Sequence, residues 1–306
     1  MEKQPSALVT GASGFIGKYV ARELRDAGYD VSTLSRSEDA DFRCDLAQSV
    51  PDFSGRRFCL VAHVAGTADN ASADAVNRQG TENLAKGLAE AHPEAFVFIS
   101  SASVYGITEG ENIDESHPLA PVTDYGRSKL AAEHFLNEWA KRNAVRLTVL
   151  RPVMVVGTGM TGQLMTMARG IDRGTYFNIK GNTARRSVVH AIDVARAVRL
   201  LAEAGASGAF NVTDGVDSSL IDLAEAFAVR IKGKRIADVP ARWIRLAARF
   251  GDLLKGHFPI DSSRLDKITK TLTFDSSRLR AAIEWQPIDV VDYLRTHDYE
   301  NDGLEF

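Results

Sequence analysis

Along the first half of the chain, short apolar runs alternate with stretches in which apolar residues recur every three or four positions. Ala7–Thr10, Asp30–Leu34, Phe58–His63, Ala95–Ser100 and Arg146–Leu150 read as strands, and Phe15–Ala27, Thr81–Ala91 and Tyr125–Lys141 as helices. The strands are near-continuous apolar runs such as Phe96–Ile99, the pattern of a parallel sheet covered by helices on both faces. The expected class is therefore α/β, a Rossmann-type doubly wound parallel sheet. The second half is less regular. A glycine-rich loop at 157–162 precedes predicted helices at Gln163–Arg173 and Ile192–Ala204, and Ala209–Val212 reads as one more strand. Beyond Asp214, helices are expected at Ser219–Ile231, Ala241–Leu254 and Ser276–Glu284, giving a small, mainly helical C-terminal lobe. The division is residues 1–156 plus about 187–213 for the sheet domain, and about 157–186 with 214–306 for the lobe. Within the lobe, Trp243, Leu246, Ala247 and Phe250 share helical spacing and are expected in the core.

Composition changes this picture little. The 306 residues are 44% hydrophobic and 25% charged, with a net charge of −3. Basic residues are dispersed, so nucleic acid and a membrane are not expected as partners. Two cysteines, Cys44 and Cys59, build no disulfide framework, no Cys/His cluster suggests a metal, and a cytoplasmic location is the expectation. No apolar run is long enough for a transmembrane helix, and no signal peptide is read at the N-terminus.

The first chemical signal lies between the first strand and the first helix, at Thr10-Gly11-Ala12-Ser13-Gly14-Phe15-Ile16-Gly17. Glycine is required where a backbone turns sharply, approaches a pyrophosphate or packs a helix close to a strand, and the helix N-terminus offers free N–H groups to phosphate. The second strand ends Leu34-Ser35-Arg36 without a carboxylate for a ribose hydroxyl. Arg36 can pair with a 2′-phosphate, so NADP(H) is favoured and NAD(H) is the alternative. Asp45, followed by Leu46, is placed to accept from an adenine amino group, and Ala65-Gly66 are small where backbone must pass close to the cofactor.

The second signal is Tyr125-Gly126-Arg127-Ser128-Lys129. Positions i and i+4 stand over one another on a helix, so phenol and ammonium share one space and the cation is expected to lower the phenol pKa. Ser103, just past the C-terminal end of the Phe96–Ser100 strand, would hydrogen-bond the same reacting oxygen. His190 reads as a core residue rather than a catalyst.

Taken in order, Thr10–Gly17, Asn77-x-x-Gly80-Thr81-x-Asn83-Leu84, Ser100–Gly106, Tyr125–Lys129, Leu150-Arg151-Pro152 and Val189-His190-x-x-Asp193-Val194-Ala195 resemble the signature of the NAD-dependent epimerase/dehydratase family, the extended short-chain dehydrogenases/reductases. The resemblance implies Ser103 as the oxygen-polarising residue, Tyr125 as acid/base and Lys129 as the ribose-binding residue that tunes it. Ser101, Pro152 and Val153 join the expected cofactor site, while Tyr105, Arg186 and Arg264 join Ser103 as expected substrate contacts. Arg186 matches a family arginine that holds a substrate diphosphate, and Arg264 is a second candidate for it. A homodimer through the helices Thr81–Ala91 and Tyr125–Lys141 is also implied.

Two departures narrow the chemistry. Nucleotide-sugar 4,6-dehydratases carry Asp-Glu directly after the residue matched to Ser103, where this chain has Val104-Tyr105. UDP-hexose 4-epimerases have an asparagine where this chain has Met154. The first reading is an NAD(P)(H)-dependent 4-keto-sugar reductase or epimerase acting on a nucleotide sugar, with reduction ahead. The rivals are a reductase of a hydrophobic ketone, resembling the dihydroflavonol reductase and 3β-hydroxysteroid dehydrogenase branch, and a non-catalytic NADP(H) sensor. Members of the latter kind usually lose the tyrosine or the lysine.

Overall fold

The computed structural model describes residues 4–231, 233, 235–253 and 262–296. The chain begins with β1 (Ser6–Thr10), α1 (Phe15–Asp26), β2 (Asp30–Ser35), the short β3 (Phe42–Arg43) and β4 (Leu60–His63). A π-helical turn over Asp74–Gln79 runs into α2 (Gly80–Gly87), followed by β5 (Ala95–Ile99), β6 (Gly110–Ile113), α3 (Asp124–Asn143), β7 (Arg146–Pro152) and β8 (Met154–Val156). Next come α4 (Gly162–Asp172), β9 (Phe177–Lys180), β10 (Arg185–Arg186), β11 (Val188–His190), α5 (Ala191–Glu203) and β12 (Gly208–Val212). The remainder is β13 (Ser218–Ser219), α6 (Leu220–Arg230), β14 (Ala237–Pro240), α7 (Ala241–Leu253), α8 (Ser262–Thr269), β15 (Leu272–Phe274), α9 (Ser277–Ala282) and α10 (Val290–Thr296).

Among the described residues, seven parallel strands form the main sheet in the order β12-β7-β5-β4-β1-β2-β3. Alternation along each strand divides the core. Ala7, Val9, Val97 and Ile99 meet Val20 and Leu24 of α1 and Val198 and Leu201 of α5 on one face. Leu8, Phe96 and Phe98 meet Leu84 of α2 and Leu136 of α3 on the other. Burying both faces is what the continuous apolar runs require. The chain leaves β1 toward β2 and returns to β4 on β1's other side. That reversal opens a crevice at the strands' C-terminal ends, where ligands bind in such sheets.

The lobe carries more strand than expected. β13, β10, β15 and β6 form a four-stranded sheet, and β14 pairs with β9. These strands are two to four residues long and lack a readable period, so local patterning does not reveal them. The proposed division also simplifies the chain's path: β6, from within residues 1–156, pairs with β15, and Leu279 of α9 packs into the α1/α5 face of the sheet core. One expectation is corrected. Helix α7 forms, but Trp243 is 56% and Leu246 52% exposed, because Ile244 and Ala248 make its buried stripe. Ala247 is half-buried, and the side chain of Phe250 lies outside the described set.

Two buried carboxylates fasten the segment ahead of α10 to the sheet domain. Asp193 accepts from Ile288 N at 2.8 Å and ion-pairs with Arg196 at 3.1 Å. Asp214 accepts from Val216 N and, at 3.3 Å, from Val290 N. Burial pushes each up to about 6. Between pH 4 and 6 the folded protein therefore holds protons that the unfolded chain has released, and their stabilising contribution is lost as pH rises through 6. Accordingly, Asp214→Asn should gain on wild type in melting temperature as pH rises from 4 to 7. Thermal melts across that range check it; a constant difference refutes it.

Candidate active site

The glycine turn is built by close approach. Gly11 has φ +66°, and a Cβ there would stand 2.7 Å from the Cα of Ala65. At Gly17 an added Cβ would lie 2.0 Å from the Gly11 carbonyl oxygen. A side chain at either position would force strand and helix apart. Helix α1 starts from Gly14 with no side-chain cap and no acidic residue in its first turn. Its first N–H groups thus face the crevice unclaimed by a cap, as a pyrophosphate site requires.

The crevice has a volume of about 800 Å³. Gly11, Ser13, Gly14, Phe15, Ile16 and Gly17 line one end; Ser35, Arg36, Asp45 and Leu46 line the β2–β3 edge; and Ala65, Gly66, Ser101, Tyr125, Lys129, Pro152 and Val153 line the rest. The structure therefore brings together every residue expected at a cofactor, drawn from six strand ends and the start of the helix Asp124–Asn143. It adds residues the sequence reading did not single out, among them Ser37, Cys44, Thr67 and Ser72. These sit on loops whose course depends on the whole sheet.

Beneath this floor runs a buried hydrogen-bond relay. Thr81 Oγ1 donates to Asn77 O, so it accepts from His63 Nε2 at 2.9 Å, and His63 Nδ1 in turn accepts from Thr10 Oγ1 at 2.7 Å. Thr10 Oγ1 receives Val64 N and Ala65 N, fixing the loop after β4 against the glycine turn. Burial, aided by the Lys129 charge, pulls His63 down to about 3, so the ring is neutral and structural.

Tyr125 and Lys129 occupy the first turns of α3. Thr123 caps that helix by accepting from Gly126 N, and Asn70 Oδ1 accepts from Tyr125 N at 3.1 Å. The ammonium of Lys129 is buried, donates to Ile99 O at 2.8 Å and lies 4.9 Å over the Phe98 ring. Burial draws it down to about 8, with Glu133 opposing. Burial likewise raises the Tyr125 phenol, and a hydrogen bond with Ser101 acts against that rise. This corrects the sequence expectation: Lys129 is engaged on a carbonyl, and burial sets the direction of the phenol's shift.

The two serines at the end of β5 are placed differently. Ser101 lines the crevice with Tyr125, while Ser103 is not among the lining residues and donates to Ser101 Oγ at 3.0 Å. The reason is local: Ser101 is the N-cap of a short 3-10 turn over Ala102–Tyr105, which carries Ser103 behind it. The pair after Ser101 is Ala102-Ser103, which still lacks the two carboxylates of a dehydratase.

Tyr105, expected at substrate, is a core residue only 1% exposed. Its hydroxyl donates to Asn211 Oδ1 at 2.7 Å and accepts from Arg151 at 3.1 Å, and Arg151 pairs with buried Glu133 at 2.7 Å. Arg186 is 8% exposed, is absent from the crevice lining, and donates to the carbonyls of Arg185 and Lys270, tying β10 to the residues ahead of β15. Arg264 lies on α8, its side chain outside the described set. His190 is buried, with Nδ1 accepting from Ile192 N.

Residues 7–213 match the NAD dependent epimerase/dehydratase family, and the chain belongs to it. It is thus an NAD(P)-dependent enzyme of the epimerase or oxidoreductase kind. Over 317 residues, 96% of this chain and 95% of the relative, it is 24% identical to the N-acetyl-alpha-D-glucosaminyl-diphospho-ditrans,octacis-undecaprenol 4-epimerase of Escherichia coli O157:H7. It is 27% identical to the UDP-glucose 4-epimerase of Vibrio cholerae, covering 92% of this chain and 90% of that one. The structure of RMD from Pseudomonas aeruginosa complexed with NADPH superposes with a TM-score of 0.72 at 24% identity, covering 95% of this chain and 97% of that one. No helix among the described residues is long and apolar enough to cross a membrane.

Proposed function

We propose that the protein acts at the C4 carbon of a nucleotide sugar, as an epimerase or as a reductase of the 4-keto sugar. The observation that carries this is the one crevice lined by the glycine turn together with Ser101, Tyr125 and Lys129. A bound nicotinamide supplies or accepts the hydride. The chain's own residues handle the oxygen. Tyr125 moves the proton at the sugar hydroxyl or carbonyl oxygen, Ser101 hydrogen-bonds that oxygen, and Lys129 holds the cofactor ribose beside them. The names of the relatives, a UDP-glucose 4-epimerase and a 4-epimerase of a diphospho-linked sugar, support C4 as the reacting position. Incubation with UDP-sugars and their 4-keto forms, followed by NMR of the product, tests it; inertness toward both forms would reject the reading. A homodimer through α2 and α3 and a cytoplasmic location belong to the same reading.

For the cofactor we favour NADP(H). Arg36 is exposed at the tip of β2 and lines the crevice, with Ser35 and Ser37 beside it. Structures of the same fold hold NADPH in one case and NAD in others, so the preference rests on Arg36. Arg36→Asp should weaken NADP(H) by more than it weakens NAD(H), since a phosphate partner becomes a repelling charge. Titrating both cofactors against both proteins checks this; tighter NAD(H) binding by wild type would reverse the preference.

Burial of Arg186 is the observation that favours the rival, a hydrophobic ketone. To hold a diphosphate, its guanidinium must turn away from the Lys270 carbonyl. Under the nucleotide-sugar reading, protein presaturated with NADP(H) binds UDP, GDP or dTDP in calorimetry, and Arg186→Ala weakens that binding by about 1.5–3 kcal/mol. Failure of all three nucleotides to bind transfers the assignment to the hydrophobic substrate.

A further inference from the structure

Helix α7 carries a surface that the chemistry above does not use. Its sequence, Ala-Arg-Trp-Ile-Arg-Leu-Ala-Ala-Arg-Phe-Gly-Asp-Leu, holds three arginines and one aspartate in a chain whose net charge is −3. At about 100° per residue, Ile244 and Ala248 form the buried stripe, Arg245, Arg249 and Arg242 run along one side of the exposed face, Leu246 stands opposite the stripe, and Trp243 follows on the other side. Trp243 is the one exposed large aromatic among the described residues, and Leu246 is equally open. The Arg242 guanidinium lies 5.6 Å over the exposed indole.

Among the described residues no ion pair joins Arg242, Arg245 or Arg249 to a carboxylate. The helix's aspartate is already engaged: Asp252 accepts from Ser262 N at 2.9 Å and from Ser262 Oγ at 2.6 Å, binding α7 to α8. Ile268 on α8 is a further exposed apolar side chain. A helix that presents tryptophan and leucine outward beside a row of unpaired arginines has the makeup of one that lies in the plane of a lipid interface. Its indole suits the headgroup level, and its guanidinium groups suit anionic headgroups.

We infer that α7 is an interfacial helix, and that Trp243 and Leu246 with the arginine row seat this protein on an anionic membrane surface. The occupant is fixed by charge: a neutral apolar partner would leave three arginines without counter-charge, whereas anionic headgroups supply it along the same face. The inference does not depend on which sugar or cofactor is used.

The test is co-sedimentation of the full chain with vesicles of phosphatidylglycerol and phosphatidylcholine, against vesicles of phosphatidylcholine alone. Binding is expected to the anionic vesicles, to weaken with salt, and to fall roughly tenfold or more both in Trp243→Ser/Leu246→Ser and in Arg242→Gln/Arg245→Gln/Arg249→Gln. These positions are exposed, and unchanged melting temperatures verify that the variants fold. The inference stands only if both variants lose binding. It is overturned by absence of vesicle binding, by equal binding to neutral vesicles, or by loss in the arginine variant alone, which would mark a general polyanion site. A change of oligomeric state in the Trp243/Leu246 variant without lipid binding by wild type also overturns it, and assigns the face to a second copy.

Discussion

Replacing Tyr125 by Phe is expected to lower kcat by about 10²–10⁴ while leaving cofactor affinity nearly unchanged. The ring stays, so its packing is kept and only the hydroxyl that carries the proton is lost. Burial holds that phenol above its ordinary range, so in this structure the hydroxyl keeps its proton beside Ser101 in the crevice. Single-turnover rates and cofactor titration separate the two quantities. A variant keeping more than half the wild-type kcat would remove Tyr125 from the chemistry.

The second large effect separates two serines. Ser101→Ala is expected to cost about 10²–10³ in kcat, the range for deleting one preorganised donor to a developing oxyanion. Ser103→Ala should cost less than about tenfold, because Ser103 does not line the crevice and hydrogen-bonds Ser101 Oγ instead. Ser101 also caps the 3-10 turn, accepting from Ser103 N at 3.2 Å. Melting temperature must therefore accompany the rates, and Ser101→Thr, which keeps a hydroxyl, should recover part of the activity. If Ser103→Ala proved the more damaging, the original assignment would be restored.

Most of the sheet domain was legible because its signals are local. Runs such as Phe96–Ile99 fix buried strands, the Gly11–Gly17 spacing fixes a turn that no other residue type fits, and Tyr125 with Lys129 at i and i+4 fixes a shared face. All the residues assigned to the cofactor meet in one crevice for that reason. What escaped depends on distant partners. Ser101 and Ser103 are two positions apart in a serine-rich strand end, and only the 3-10 turn decides which one faces Tyr125. Tyr105 looked like a neighbour of the substrate, but its hydroxyl serves Asn211, 106 residues away in sequence. Trp243 and Leu246 share helical spacing with the core, yet the stripe that α7 buries is set by β9, β14 and α8, elements too short or too irregular to anticipate.

The central claim, proton handling by Tyr125 and Ser101 beside a nicotinamide at a sugar C4 carbon, is tested most directly by isotope transfer. Protein is mixed with nicotinamide cofactor deuterated at its reactive carbon and a UDP-4-keto-sugar, and the product is examined by NMR. The account predicts deuterium at C4 of the sugar in wild type, and a loss of that signal in Tyr125→Phe at matched times. Cofactor binding with no label in any sugar product would contradict it.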